Sequence, residues 1–278
     1  MEYQSIDWNE VWKDLYGKNV EARGKGECAT IWESREKAGE FLAQSERDPG
    51  RINRVIDALR PDPESRILDI GAGPGTLAIP LARLARQVTA VEPAAGMADV
   101  MIEYAGRNGI KNLKIVRKRW EDIDPATDLD GPYDIVFACH SLGMPDIKKE
   151  IEKMNAVAKK RVFLFWFGGI TSWEKPMVDL WPELYAKAYH VGPKADVLFN
   201  VLWSMGIVPD IASGPLDNPR FYPNISSAVR DLRWQFGIST PGQVSALRRY
   251  LKSTMVKKNG QYFLPGTTTG VRLSWDAR

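Results

Sequence analysis

The stretch ILDIGAGPGTLAIPLA, residues 67–82, joins an apolar run to a segment with helical spacing through the glycines Gly71, Gly73 and Gly75. Glycine allows a tight turn with positive φ and lets a ligand come close to the main chain. A helix N-terminus adds unpaired N–H groups and the positive end of the helix dipole, which suit an anionic group. The stretch therefore predicts a ligand-binding loop between a strand and a helix.

Short apolar segments alternate with helical segments from this loop onward. The predicted strands are RILDIG, QVTAVE, LKIV, YDIVFAC and RVFLFWF. Continuous apolar strands separated by helices indicate a parallel sheet that is covered on both faces. We therefore expect an α/β fold with the glycine loop at the carboxyl edge of the sheet, where open parallel sheets bind their ligands.

The alternation stops at Gly169, and a long, mostly helical region follows in which IVPDIAS is a further candidate strand. Two of its helices have one apolar stripe each, Val229–Leu232–Phe236 and Val244–Leu247–Leu251, that must be buried against something. We expect this region to cover the carboxyl edge of the sheet. The predicted organisation is a helical lid at 1–50, a ligand-binding core at 51–170, a mainly helical substrate cover at 171–261 and a final strand within 262–278.

Two acidic residues accompany the glycine loop. Asp69 precedes it, and Glu92 ends the second strand, where a carboxylate can accept both hydroxyls of a ribose. The G-x-G-x-x-G register of dinucleotide-binding loops is broken because Thr76 stands at its third glycine position. This pattern argues against a nicotinamide-dependent oxidoreductase, which remains an alternative beside a non-catalytic binding module.

Four segments in this order resemble the motifs of class I S-adenosylmethionine-dependent methyltransferases. They are LDIGAGPG, VTAVEPAAGM, IVRKRWEDI and YDIVFACHSLGMPD, within residues 67 to about 170. The resemblance implies a Rossmann-like, mostly parallel seven-stranded sheet with helices on both faces, an N-terminal helical lid and a helical insertion near the C-terminus. It also implies that S-adenosylmethionine is bound and S-adenosylhomocysteine is released.

The resemblance assigns roles to individual residues. The backbone near Gly71, Ala72 and Gly73 holds the methionine portion of the cofactor, Asp69 anchors the loop and contacts the cofactor ammonium, and Glu92 holds the ribose. The other implied cofactor-binding residues are Gly75, Pro93, Met97, Trp120, Glu121 and Cys139.

The adenine pocket departs from the family pattern. Arg119 occupies the position of the usual acidic residue, so either Glu121 accepts from the adenine amine or Trp120 stacks on the ring. Met97 either packs against adenine or belongs to the helix core. The backbone of Cys139 is expected to contact the cofactor amino group.

His140 follows the fourth predicted strand beside the expected methyl donor. Its unperturbed pKa near 6.5 suits a general base, and the alternative is that it only shapes the pocket by hydrogen bonding. In the predicted lid, Trp32 and Arg35 could reach the cofactor or the substrate, or could belong to an ordinary surface helix.

The acceptor is expected to be a small molecule, because an aromatic-rich region from Trp166 to Tyr189 follows the fifth strand. A protein side chain or an RNA is the alternative. The net charge of +3 disfavours a dedicated nucleic-acid protein without excluding a basic patch. With Cys28 and Cys139 as its two cysteines, two histidines and no long apolar run, the sequence predicts a cytoplasmic protein without a metal site or membrane span.

Overall fold

The computed structural model of the chain describes residues 6–24, 32–217 and 219–277. Its helices and strands follow in the order α1 (Trp8–Arg23), α2 (Arg35–Glu46), α3 (Pro49–Leu59), β1 (Arg66–Ile70), α4 (Ala78–Ala82), β2 (Gln87–Val91), α5 (Ala95–Arg107), β3 (Leu113–Val116), β4 (Tyr133–Cys139), α6 (Ile147–Val157), β5 (Ala158–Gly168), α7 (Lys175–Tyr185), α8 (Ala195–Ser204), β6 (Asp210–Asp217), β7 (Arg220–Tyr222), α9 (Ile225–Gln235), α10 (Pro241–Thr254), β8 (Val256–Lys258), β9 (Gln261–Leu264) and β10 (Thr267–Asp276). A short 3-10 helix spans Trp120–Asp122.

The central sheet has seven strands in the order β3-β2-β1-β4-β5-β10-β6. The first five strands are parallel, and β10 runs antiparallel to both β5 and β6. Apolar residues from α1, α6 and α8 pack on one face, and those from α3 and α4 pack on the other. The predicted α/β fold with a mostly parallel, doubly covered sheet is therefore confirmed.

Two long segments of the chain, which we call excursions, leave the central sheet at its carboxyl edge. The first starts after Gly168 and contains α7. The second runs between Asp217, the last residue of β6, and Thr267, the first of β10, and these two residues are paired neighbours. Because Thr269 pairs with Gly168, both excursions begin at the same edge. We call α7, α9, α10 and the small sheet β7-β9-β8 together the cover.

The cover has a hydrophobic core of its own. The stripes of α9 and α10 are buried against each other and against α7, together with Trp181, Tyr222 and Leu264. Amphipathic helices of this kind gain more from packing among themselves than from lying singly on a sheet edge. The cover is therefore a second packing unit beside the sheet.

Two details differ from the expected organisation. The stretch expected to be mainly helical contains β6, which joins the central sheet, and most of the small sheet β7-β9-β8. The final strand of the central sheet begins at Thr267, five residues after the predicted boundary at 262. β6 carries Gly214 and Pro215 and is an edge strand, the place where sheets tolerate proline, so its pattern is a weak signal in the sequence. The division into lid, core and cover stays a prediction.

The helix α1 connects the two units. Trp12 is completely buried in the core of the sheet, and its Nε1 donates to the Met144 carbonyl at 2.8 Å. One end of the same helix packs Ala22 into the core of the cover. Between them, Asn19 donates to the His190 carbonyl at 2.6 Å. The N-terminal helix therefore spans the junction beside the carboxyl edge.

Candidate functional site

The glycine loop has the conformation for which glycine is required. Gly71, Gly73 and Gly75 have φ values of 73°, 57° and 85°. A Cβ atom on Gly71 would lie 2.3 Å from the Ser141 Cβ, and one on Gly75 would lie 2.7 Å from the Met101 Cγ. On Gly73 it would have no heavy atom of the described residues within 4 Å. Other residues of the protein therefore occupy the space beside Gly71 and Gly75, whereas Gly73 faces open space.

Glu92 is bound to the loop. Its Oε2 accepts from the Gly73 N–H and its Oε1 from the Ala94 N–H, both at 2.8 Å. The residue is only 7% exposed, and burial raises the pKa of its carboxyl group, partly offset by these two N–H donors. Each oxygen keeps a further lone pair that a hydroxyl group can use. Glu92 thus shapes the loop and keeps acceptor capacity on both oxygens.

Asp69 is 1% exposed on β1, and its Oδ2 has no hydrogen-bond partner among the described residues. Burial raises the pKa of Asp69 well above its ordinary value, and the charge of Glu92 adds to the effect. A buried carboxyl oxygen without a partner is unfavourable unless a ligand supplies a donor or a positive charge. The ammonium of S-adenosylmethionine is such a group, so these residues fit that cofactor.

These contacts correct one expectation from the sequence. The loop was expected to offer helix N–H groups to an anion, but the helix after it begins only at Ala78, and the Gly73 N–H already donates to Glu92. A ligand at this loop meets two acidic side chains, Asp69 and Glu92. The site is therefore suited to a ligand with positive charge, as a sulfonium or an ammonium has.

Cys139 ends β4 and His140 follows it at the same edge, as expected. Although Cys139 is only half-buried as a residue, burial of its thiol raises the pKa to about 12. His140 has a φ of 61°, which is rare for a residue with a side chain. Burial, together with the nearby charge of Arg51, lowers the pKa of His140 to about 3. The imidazole is therefore neutral at physiological pH but only weakly basic, and this weak basicity does not favour the role of general base.

Arg51 is a site residue that the sequence analysis missed. It lies on α3, and its Nη2 is 3.0 Å from the Nδ1 of His140. Its charge also acts on the Cys139 thiol. In the sequence Arg51 is one of two arginines on α3, and no spacing distinguishes it from Arg54. Only the orientation of α3 against the end of β4 identifies it.

Aromatic rings line the edge beside His140. Phe167 stacks on the imidazole with centroids 4.5 Å apart and an interplanar angle of 11°. Trp173 meets Phe167 edge-on at 4.9 Å, and Trp166 lies 5.0 Å from Phe167. Trp173 also lines a narrow cleft of about 10 Å³, together with Pro176, Leu232 and Phe236 of the cover. The rings form a continuous path from the end of β4 to this cleft.

The structure does not support adenine stacking on Trp120. This residue is 2% exposed, its Nε1 donates to the Glu150 carbonyl at 3.3 Å, and it belongs to the core beneath α6. The Lys153 ammonium lies 5.2 Å from its ring and donates to the main-chain oxygen of Glu121 at 3.1 Å. The apolar ring is simply more stable in the core than at a pocket wall, so Trp120 is corrected to a packing residue.

Met97 and the candidate residues of the lid meet at the interface of α2 and α5. Met97 is 4% exposed and packs in a cluster with Leu42 and Trp32, which corresponds to the helix-core alternative. Trp32 contacts Phe41 edge-on at 5.3 Å, and Arg35 forms an ion pair with Glu103. A Cβ on Gly96 would lie 2.5 Å from the Glu33 carbonyl oxygen, so the two helices are in close contact.

The remaining expectations concern Ala72, Pro93 and Cys28, metal ligands and membrane spans. Ala72 is buried, with its N–H donating to the Val91 carbonyl at 3.1 Å, and Pro93 is half-buried beside Glu92. Cys28 lies outside the described residues. Within residues 6–24, 32–217 and 219–277, no group of three or more potential metal-ligating side chains comes together. None of the helices in these ranges is long and apolar enough to cross a bilayer.

Sequence comparisons match the part of the chain that carries the glycine loop. Residues 67–161 match the family model described as a methyltransferase domain. An uncharacterised protein of Haemophilus influenzae is 35% identical over 121 residues, which cover 42% of each chain. Protein arginine N-methyltransferase 7 of Oryza sativa subsp. indica is 37% identical over 95 residues, which cover 31% of this chain and 13% of that protein. The chain spans less than half the length of these curated relatives.

A solved structure from Bacillus halodurans, described as a candidate methyltransferase, has the same fold. It superposes with a TM-score of 0.58 at 14% identity and covers 81% of this chain and 98% of that chain. At this identity the likeness concerns the fold alone. Together with the strand order, it shows the class I Rossmann-like architecture that the four motifs indicated.

Proposed function

We propose that this chain, whose residues 67–161 match the model of a methyltransferase domain, transfers a methyl group from S-adenosylmethionine to a small-molecule acceptor. The observation that carries the proposal is the unpartnered Oδ2 of Asp69, buried beneath a glycine loop that is open at Gly73. A cationic ligand would satisfy this oxygen and return the carboxyl group to its charged form. S-adenosylmethionine has an ammonium for this position.

Each residue at the edge has a definite part in this proposal. Asp69 binds the ammonium, the free lone pairs of Glu92 accept from the ribose hydroxyls, and Gly73 leaves room for the ligand beside the main chain. The bound sulfonium supplies an activated methyl group, so the protein mainly orients the acceptor and excludes water. Phe167 and Trp173 are apolar walls that serve the second purpose.

A small acceptor is favoured by the cover. Its two excursions leave the sheet at the edge that carries the site, and α1 bridges the two units beside it. A cover attached at this edge leaves less room for a folded partner than for a small organic molecule. Protein and RNA acceptors remain outcomes of the experiment.

Calorimetry tests the cofactor part of the proposal. We expect S-adenosylhomocysteine to bind with one-to-one stoichiometry and Asp69→Asn to weaken binding at least tenfold, since hydrogen bonds to charged groups contribute about 1.5–3 kcal/mol. Asp14→Asn, at an exposed position on α1, is the matched control. Tight binding of NAD without a response to S-adenosylhomocysteine would refute the proposal.

The acceptor class is tested by fractionation. A cell extract is separated into small molecules, RNA and protein, and release of S-adenosylhomocysteine is followed with each fraction. We expect turnover with the small-molecule fraction alone. Turnover only with the protein or the RNA fraction would replace the proposed acceptor class and leave the methyltransferase assignment intact.

A further inference from the structure

A cavity lies beside the last turn of α3, on the face of the central sheet that this helix covers. Its volume is about 170 Å³, roughly ten times the space that one water molecule needs. Five charged residues line it, namely Asp57 and Arg60 at the end of α3, Arg161 on β5, Asp210 on β6 and Arg272 on β10. The cavity therefore has room for a small ligand, and its charged walls select the kind of ligand.

The cavity is separate from the glycine loop. The other end of α3 carries Arg51, which contacts His140, and the rise of an α-helix places Arg60 about 14 Å from Arg51 along the axis. Among the described residues, those that line the cavity include neither the loop glycines nor Asp69 or Glu92. A ligand in the cavity would therefore not occupy the place of the cofactor.

Arg272 has a buried donor that nothing in the described part of the chain satisfies. The residue pairs with Phe165 on β5, so its side chain lies on the sheet face that carries Phe163 and packs against α3. Its Nε is buried without a hydrogen bond, and no described carboxylate forms an ion pair with it. A buried donor is unfavourable unless a ligand or a water supplies an acceptor. Arg272 therefore lacks an acceptor that an anion in the cavity would provide.

Arg161 is only partly neutralised. Its guanidinium carbon lies 5.0 Å from the ring centroid of Phe163, and its Nη2 donates to Asp210 at 3.1 Å. Its Nε is buried and lies 3.2 Å from an oxygen of the exposed Asp276, but without the alignment of a hydrogen bond. Packing on Phe163 thus holds the guanidinium at the cavity while one of its donors stays unsatisfied.

The charges that face the cavity do not balance, because three guanidiniums meet two carboxylates. Asp210 already pairs with Arg161, which leaves Asp57 as the one carboxylate for both Arg60 and Arg272. Within the ranges that the structure describes, none of these last three side chains forms an ion pair. The lining therefore carries a net positive charge and lacks a negative partner.

We propose that this cavity is a binding site for a phosphate group, either inorganic phosphate or the phosphate of a small metabolite. Arg60 reaches the cavity from the helix, whereas Arg161 and Arg272 reach it from the sheet. A carboxylate has two oxygens in one plane and suits a single guanidinium fork, whereas a tetrahedral phosphate has oxygens for donors on several sides. The inference does not depend on the proposed function.

Calorimetry with inorganic phosphate, at constant ionic strength and on the whole chain, tests the inference. We expect saturable one-to-one binding for which sulfate competes and acetate does not. Arg272→Met, which keeps an unbranched apolar stem, should weaken phosphate binding about tenfold or more, because charge-assisted hydrogen bonds are the strong ones. Arg54→Met is the matched control, since Arg54 is exposed on α3 and does not line the cavity.

Two further variants keep the test decisive if Arg272→Met does not fold. Arg60→Met changes an exposed residue at the end of α3 and should also weaken phosphate binding. Asp57→Asn removes the carboxylate that competes with the anion and should strengthen phosphate binding. If the arginines serve only to hold Asp57, this variant should instead lower the free energy of unfolding without any gain in affinity, and the inference is wrong.

Glycerol 3-phosphate separates the two sources of the phosphate group. Tighter binding than that of inorganic phosphate indicates a phosphorylated metabolite, and weaker binding indicates the free ion. The inference is overturned if neither compound binds saturably, if acetate binds equally well, or if both arginine variants keep the wild-type affinity. Displacement of phosphate by S-adenosylhomocysteine would place the anion at the glycine loop and would also overturn it. If phosphate binds as expected and S-adenosylhomocysteine does not bind, the proposed function alone is wrong.

Discussion

The sheet and the cover are both well packed, but among the described residues the buried acidic side chains lie on the sheet and the segments next to it, and not in the core of the cover. Asp69 and Glu92 lie beneath its glycine loop, and Glu150 and Glu174 are buried on the segments next to it. Among the described residues between 175 and 264, no buried side chain is charged, and the core is made of aliphatic and aromatic groups. Burying a charge is unfavourable unless a partner or a ligand compensates it.

This difference indicates that the carboxyl edge of the sheet supplies the acidic groups of the site, whereas the cover supplies apolar surface. The buried acids beside the loop make the carboxyl edge less stable than an apolar edge of the same size, and a cationic ligand removes that penalty. The cover is stabilised by its own packing and contributes walls to a cleft. If the comparison is correct, damage to the cover should leave cofactor binding intact, whereas small changes at the loop should abolish binding with little loss of fold.

The largest effect is expected for Trp181→Ala. The indole is buried at the centre of the cover, within 5.0 Å of the rings of Tyr185 and Tyr189, and loss of a buried tryptophan costs about 3–5 kcal/mol. Calorimetric unfolding should show a cover transition at lower temperature, with the affinity for S-adenosylhomocysteine unchanged.

Two controls accompany this variant. Trp203→Ala removes a tryptophan that is 58% exposed and should have little effect. Trp181→Phe should cost less than the alanine variant, because it also removes an Nε1–H that is buried without a partner. A parallel loss of cofactor affinity in Trp181→Ala would show that the two units are energetically one.

Gly71→Ala and Gly73→Ala form the next, paired test. Both require a left-handed residue with a side chain, at about 1–2 kcal/mol, and Gly71→Ala adds about 1–3 kcal/mol of overpacking against Ser141. Gly71→Ala should therefore lower the free energy of unfolding more, whereas Gly73→Ala should abolish S-adenosylhomocysteine binding by filling open space. Denaturant unfolding and calorimetry measure both. Normal binding by a folded Gly73→Ala protein would contradict the position of the ligand.

Glu92→Gln should weaken S-adenosylhomocysteine binding by about 1.5–3 kcal/mol. The amide is isosteric, but one of its two ends is a donor that faces the N–H of either Gly73 or Ala94. The loop should therefore be disturbed together with the ribose contact. Binding is measured by calorimetry, with Glu103→Gln on the outer side of α5 as the control. An unchanged affinity would show that the ribose is held elsewhere.

The smallest expected effect is a pH dependence. Because the folded state raises the pKa of Asp69, it holds the proton where the unfolded chain, with a pKa of about 3.9, has released it. Stability must then fall as the pH rises from about 4 through the folded pKa, by about 1.4 kcal/mol for each pKa unit. The decrease in Tm from pH 5 to pH 8 should be smaller in Asp69→Asn than in the wild type.

Comparison of the two proteins isolates Asp69, since Glu92 shifts in the same direction in both. S-adenosylhomocysteine should reduce the decrease in the wild type, because its ammonium compensates the carboxylate. An identical pH dependence in the variant would show that Asp69 does not carry the buried charge.

The sequence predicted those site residues whose type is required both by the backbone conformation and by the chemistry of the site. Gly71, Gly73, Asp69 and Glu92 lie at the ends of two adjacent parallel strands, and their spacing is enough to bring them together. The alternation of strands and helices likewise predicted five strands of the sheet. These features depend on local sequence and on a topology with few alternatives.

Features that depend on how elements are oriented could not be predicted. Trp120 follows a basic run that indicates a surface position, and only the docking of α6 makes it a core residue. Arg51 meets His140 because α3 lies against the end of β4. The small sheet consists of strands of three or four residues, too short to show a period.

Because Asp217 pairs with Thr267, the segment between them can change in length and sequence without affecting the central sheet. The chain leaves the sheet and re-enters it at neighbouring backbone positions, and a two-residue hairpin turn could join the same two points. Evolution could therefore exchange this whole segment as one cassette without shifting the register of β6 or β10. Relatives with the same sheet could then carry a different segment here, while the glycine loop at Gly73 stays as it is.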